Sequence, residues 1–79
     1  NPHPAAAARW GGGRRAMTPR AADLAMPPEN LISPDWLRRL AWQPPTDLSP
    51  RGVDAFLADL GARAWQRNLV CGELSRLLC

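Results

Sequence analysis

The chain has 79 residues, with ten arginines, no lysine and seven acids, for a net charge of +3. That length suits one domain with a thin core, worth roughly 3–5 kcal/mol without staples, and leaves no room for a second. No apolar run is long enough to span a bilayer and no secretory signal is read, so a cytoplasmic protein is expected.

Arginine as sole cation, beside abundant alanine, fits the coding bias of a GC-rich genome. The positive excess is compatible with a nucleic-acid partner without requiring one. Asn1-Pro2-His3-Pro4 opens without methionine, which reads as a fragment cut from a longer polypeptide. From about Ala5 to Ala25 the apolar positions Ala6, Trp10, Met17, Ala21 and Leu24 form a helical stripe. Propensity opposes it, because Gly11, Gly12 and Gly13 each cost about 1 kcal/mol and Pro19 removes a backbone donor. The compromise is two pieces or one kinked helix, restarting at Thr18-Pro19 with threonine as N-cap. Residues 1–17 are thus expected to be a poorly ordered or kinked first segment, and residues 18–79 the bundle core.

Met26 to Asn30 reads as a proline-rich joint, after which Leu31 and Ile32 plug into the core. Ser33-Pro34-Asp35 is a helix start, with a serine cap, proline first and an acid in the first turn. The helix to about Trp42 places Trp36, Leu37, Leu40 and Ala41 on one side and Arg38 and Arg39 on the other. Pro44-Pro45 stops it. Ser49-Pro50 repeats the start signal, and Val53, Phe56, Leu57 and Leu60 make the cleanest amphipathic stripe. Gly61 ends that helix as a left-handed cap. A last helix begins near Ala64, with Trp65, Leu69, Val70, Leu74, Leu77 and Leu78 apolar. The fold class is all-α, a small compact bundle of four to five short helices.

Catalytic chemistry finds little material. His3 is the single histidine, in a proline-rich terminus where disorder is common, and the cysteines Cys71 and Cys79 have no C-x-x-C spacing for zinc. On one helix they lie beyond disulfide reach, so both read as free thiols; a bridge through Cys79 to another molecule is the alternative. The acids are scattered, with Asp54 and Asp59 facing away from their helix's stripe. Gly11-Gly12-Gly13-Arg14-Arg15 invites a phosphate-loop reading, yet glycine-lysine followed by serine or threonine is missing, and a flexible break in a helix is favoured. Trp36 and Trp65 read as core. Trp10 and Trp42 default to core, with stacking on a base as the alternative beside Arg14, Arg15, Arg38 and Arg39. No metal, cofactor or catalytic residue is expected.

Pro-Glu-Asn-Leu-Ile-Ser-Pro-Asp-Trp-Leu-Arg-Arg-Leu-Ala-Trp-Gln-Pro-Pro, at residues 28–45, resembles the central segment of the helicase and RNase D C-terminal (HRDC) type of domain. The version at the carboxy end of bacterial RNase D-like 3'-5' exonucleases is most similar. Leu60 to Gln66 resembles the opening of that family's last helix. The resemblance implies a helical bundle that helps its host position RNA or DNA, with the catalytic acids in a separate exonuclease domain. The triple glycine and Pro19 depart from the family's usual alanine-rich first helix. The leading expectation is a non-catalytic accessory domain for single-stranded RNA or DNA, with Arg38 and Arg39 meeting phosphates. Arg14, Arg15 and Arg20 would add contacts from the first segment, and Arg63 and Arg67 from the last helix. The rival is a structural or protein-interaction module docking on its own exonuclease domain or another partner.

Overall fold

The computed structural model describes residues 3–78; Cys79, and with it any bridge through that thiol, lies outside them. Five helices follow in order: α1 (Pro4–Asp23), α2 (Pro28–Leu31), α3 (Pro34–Trp42), α4 (Pro50–Asp59) and α5 (Ala64–Leu78). No strand occurs among the described residues. Proline opens each of the first four, where its missing N–H costs no helical hydrogen bond. Helix α1 packs against α2, α3 and α5, and α4 packs on α5. The core between them joins Met17 and Ala21 of α1, Leu31, Ile32, Leu37 and Leu40, and Val53, Leu57, Val70 and Leu74 from the last two helices.

The expected restart at Thr18-Pro19 is absent, and one helix crosses position 17. The Thr18 hydroxyl donates back to Arg14 O at 2.9 Å instead of capping a new helix. Tertiary packing explains how the glycines are tolerated. Buried positions Ala6, Gly13, Met17 and Ala21 continue one stripe, with Trp10 half-buried in it. A Cβ on Gly13 would lie 2.7 Å from Leu37 Cδ1, so the missing side chain lets α3 approach α1. His3 caps α1, its Nδ1 accepting from the Ala6 amide at 3.1 Å. Leu24, expected on the stripe, is exposed because the helix has already ended at Asp23.

The joint after α1 contains one turn of helix, α2, and Leu31 and Ile32 are buried as expected. Ser33 occupies the cap position of α3 without a side-chain cap bond, whereas the Ser49 hydroxyl accepts from the Gly52 amide at 3.3 Å. Gly61 reverses the chain after α4 at φ +100°.

Helix α5 presents a different face from the one its apolar residues suggest. Gln66, Val70, Cys71, Leu74 and Ser75 are buried, while Trp65 is 44% exposed and Leu77 is exposed. Trp65 is therefore not core. The helix is apolar over more of its circumference than its neighbours cover, and two polar residues win buried places through hydrogen bonds. Gln66 accepts from the Arg63 amide at 2.8 Å and donates to Asn30 O at 3.0 Å, tying α2 to α5. The Ser75 hydroxyl donates to Leu48 O. Asp54 does not simply face solvent either: it is half-buried and meets Arg67 and Cys71 of α5.

Candidate nucleic-acid interface

Six arginines and three acids precede Pro44, and four of each follow it. The whole net positive charge therefore belongs to the part that forms α1, α2 and α3. Within it, Trp10 sits half-buried on α1 and packs against the core. Arg14, one turn later on the same face, holds its guanidinium carbon 5.4 Å from the Trp10 ring centroid. Arg38 reaches the same ring from α3, at 5.1 Å. Cation–π contact orders both side chains while leaving their N–H donors for another partner. Neither forms an ion pair among the described residues.

Beside this pair lies a groove of about 140 Å³. Trp10, Arg14, Met17 and Thr18 line it from α1; Pro28, Glu29 and Ile32 face them, with Pro34 and Leu37 at the α3 end.

The other arginines of the expected binding set have different surroundings. Arg15 is exposed on α1, its guanidinium folded back towards Gly11. Arg39 pairs with Asp35 at 2.9 Å across one turn of α3, both ends exposed, a contact of small energetic weight. Arg20 donates through Nε to Leu69 O at 2.8 Å, fastening α1 to α5. Arg67 donates to Asp54 Oδ1 at 2.8 Å and to Ala62 O at 2.6 Å, fastening α5 to α4 and its following turn. Arg63 is exposed ahead of α5, away from Trp10 in the chain. The structure thus brings together Arg14 and Arg38 and gives Arg20 and Arg67 structural bonds.

Two residues were not singled out from the sequence. Arg9 donates to Ala41 O at 2.7 Å, satisfying a carbonyl in the last turn of α3 with a positive charge where the helix dipole favours one. Glu29 reads as part of a joint, and only the fold brings this residue to the wall of the groove. No local pattern marks either role.

Titratable groups elsewhere have structural explanations. Burial, then the nearby Asp54 carboxylate, pushes the Cys71 thiol up to about 11, so it stays protonated near neutral pH and is a poor nucleophile. Hydrogen bonding from Ser49, side chain first and backbone second, holds the Asp47 carboxyl below its ordinary value. Among the described residues no three His, Cys, Asp or Glu side chains gather to hold a metal ion. None of the helices described is long and apolar enough to cross a membrane.

A family model described as 3' to 5' exonuclease C-terminal domain matches residues 1–78. No match is found among curated proteins or among solved structures.

Proposed function

The chain belongs to the 3' to 5' exonuclease C-terminal domain family, and from that premise we propose that it is a non-catalytic accessory domain that holds single-stranded RNA or DNA for its parent enzyme. The parent is an RNase D-like exonuclease of bacterial type acting in the cytoplasm, with its catalytic acids in a separate domain. Supporting this reading is the convergence of Arg14 and Arg38 on Trp10, free of carboxylate partners among the described residues, in the part that carries all the net charge. Arg15 and Arg39 extend the phosphate-binding surface, and Arg63 stands further off. Arg20 and Arg67 serve first as structural ties, and any phosphate contact they make is secondary. Such contacts are salt-dependent and largely blind to sequence.

Fluorescence polarisation with labelled single-stranded RNA and DNA at about 50 and 200 mM salt tests the reading. Saturable binding that weakens steeply with salt is expected. Arg14→Glu with Arg38→Glu is expected to weaken it at least about tenfold and to flatten the salt slope by about 1.4, near 0.7 per lost phosphate contact on a single strand. No binding at the lower salt would overturn the reading. It would leave the second one, docking on the parent's own exonuclease domain, which the large exposed rings of Trp42 and Trp65 favour.

A further inference from the structure

The groove beside Trp10 has two chemically different walls. Arg14 stands on the α1 side and Glu29 on the α2 side, with the apolar side chains of Met17, Ile32 and Leu37 among the lining. No ion pair joins Arg14 to Glu29, so each charge is available to an incoming group. The volume of about 140 Å³ is well below the roughly 300–1,000 Å³ that encloses a drug-sized ligand. It suits one flat heterocycle rather than a whole nucleotide.

Polarity orients such an occupant. A phosphate is attracted to Arg14 and repelled by Glu29, whereas a donor edge is attracted to Glu29. An unstacked nucleobase on its sugar-phosphate has this polarity, with apolar faces for the floor between. The bases differ at the donor edge. Guanine offers two adjacent donors, N1–H and the N2 amine, which match the two oxygens of one carboxylate. Cytosine and adenine offer one amine. Uracil and thymine flank their single N3–H with carbonyl oxygens, which a carboxylate repels.

We infer that this groove receives one unstacked base of a single strand and prefers guanine, its N1–H and N2 amine donating to Glu29 while its phosphate lies on Arg14. The inference rests on the nucleic-acid reading above and adds the base that the domain selects. It also gives Glu29 a reason to stand in an otherwise cationic neighbourhood: a purely phosphate-binding surface would be weakened by it.

The test compares three labelled oligouridylates of about ten nucleotides, with guanine, inosine or uracil at the centre, by fluorescence polarisation at low salt. Guanine is expected to bind about tenfold more tightly than uracil, and inosine, which lacks the N2 amine, in between. Glu29 is exposed, so Glu29→Gln keeps the fold. It is expected to bring guanine and uracil within about twofold of each other without weakening the uracil oligonucleotide, since one carboxamide oxygen replaces two charged acceptors. Equal affinity of the wild-type chain for all three, or an unchanged preference in Glu29→Gln, overturns the inference and leaves the nucleic-acid reading standing. Absence of binding to any of the three overturns both.

Discussion

Helices α1 and α4 end in the same hydrogen-bonded turn built from different residues. After α1, the Ala25 amide donates to Ala22 O and the Met26 amide to Ala21 O, each at 3.0 Å. After α4, Gly61 donates to Ala58 O and Ala62 to Leu57 O, again at 3.0 Å. This double closure satisfies terminal carbonyls and needs a left-handed residue at its centre. Gly61 supplies that conformation at φ +100° with no side chain to strain, whereas Ala25 is driven to φ +55° against its Cβ. What drives it is the next residue: Met26 packs on the core, as Ala62 does after α4. Met26 is only partly buried, so its packing returns a part of the about 1.5–3 kcal/mol that full burial of a methionine is worth, which offsets backbone strain of roughly 1–2 kcal/mol.

The glycines divide in the same way. On the α1–α3 side, Gly13 makes room for the tip of a side chain, Leu37. At the start of α4, Gly52 makes room for backbone: its Cβ would overlap Asp47 O. The turn cannot easily retreat, because the Ser49 amide donates to Asp47 Oδ1 at 3.0 Å while the Ser49 hydroxyl caps Gly52. A side chain yields where a hydrogen-bonded turn does not.

Gly52→Ala should therefore have the largest effect, a loss of at least about 3 kcal/mol. That is most of the stability of a domain this small, and urea unfolding followed by tryptophan fluorescence should show a chain largely unfolded in water. A near-wild-type midpoint would mean the Asp47 turn can move, and the contrast with Gly13 would disappear.

The next effect separates neighbours. Gly13→Ala should lose about 1.5 kcal/mol, since displacing buried Leu37 outweighs the gain in helix propensity. Gly12→Ala should gain about 0.8 kcal/mol, because its new Cβ meets only Leu77 Cδ2 at an ordinary 3.8 Å. Thermal melts that shift in the same direction for both would show that packing against α3 does not govern the choice of glycine.

The smallest effect returns to the two helix ends. Ala25→Gly should stabilise by about 0.7 kcal/mol and Gly61→Ala should destabilise by about as much, with nothing within 4 Å of the new Cβ to add to the backbone term. Denaturant midpoints moving in opposite directions would confirm that the turns are equivalent; equal signs would break the comparison.

The legible parts of the fold are those whose signals act within a few residues. Ser33-Pro34-Asp35, Ser49-Pro50 and Gly61 mark three helix boundaries because fixed proline φ, the Ser49 cap and left-handed glycine are local chemistry, with Pro34 opening α3 without a cap bond from Ser33. Of the stripe Val53, Phe56, Leu57 and Leu60, Val53 and Leu57 are fully covered and Phe56 packs against the core, while Leu60 caps the helix end half-buried. The candidate site was legible only in part. Arg14 and Arg38 were among seven arginines of similar appearance, and their meeting place at Trp10 depends on how α3 lies on α1.

The sequence by itself determined an all-helical chain, most of its helix starts and stops, and kinship with an exonuclease-associated domain. Tertiary structure alone decided that α1 runs unbroken through three glycines and Pro19, that Trp65 is left outside while Gln66 goes in, and which arginines remain unpaired. Propensity and capping are settled by immediate neighbours, whereas Arg20 is committed by a carbonyl 49 residues away and Arg67 by a carboxylate 13 residues away. Such partners arrive only when the helices pack, so the residues around Arg20 and Arg67 in the sequence cannot tell that both will bind the fold, whereas the Arg39–Asp35 pair lies within one turn of α3.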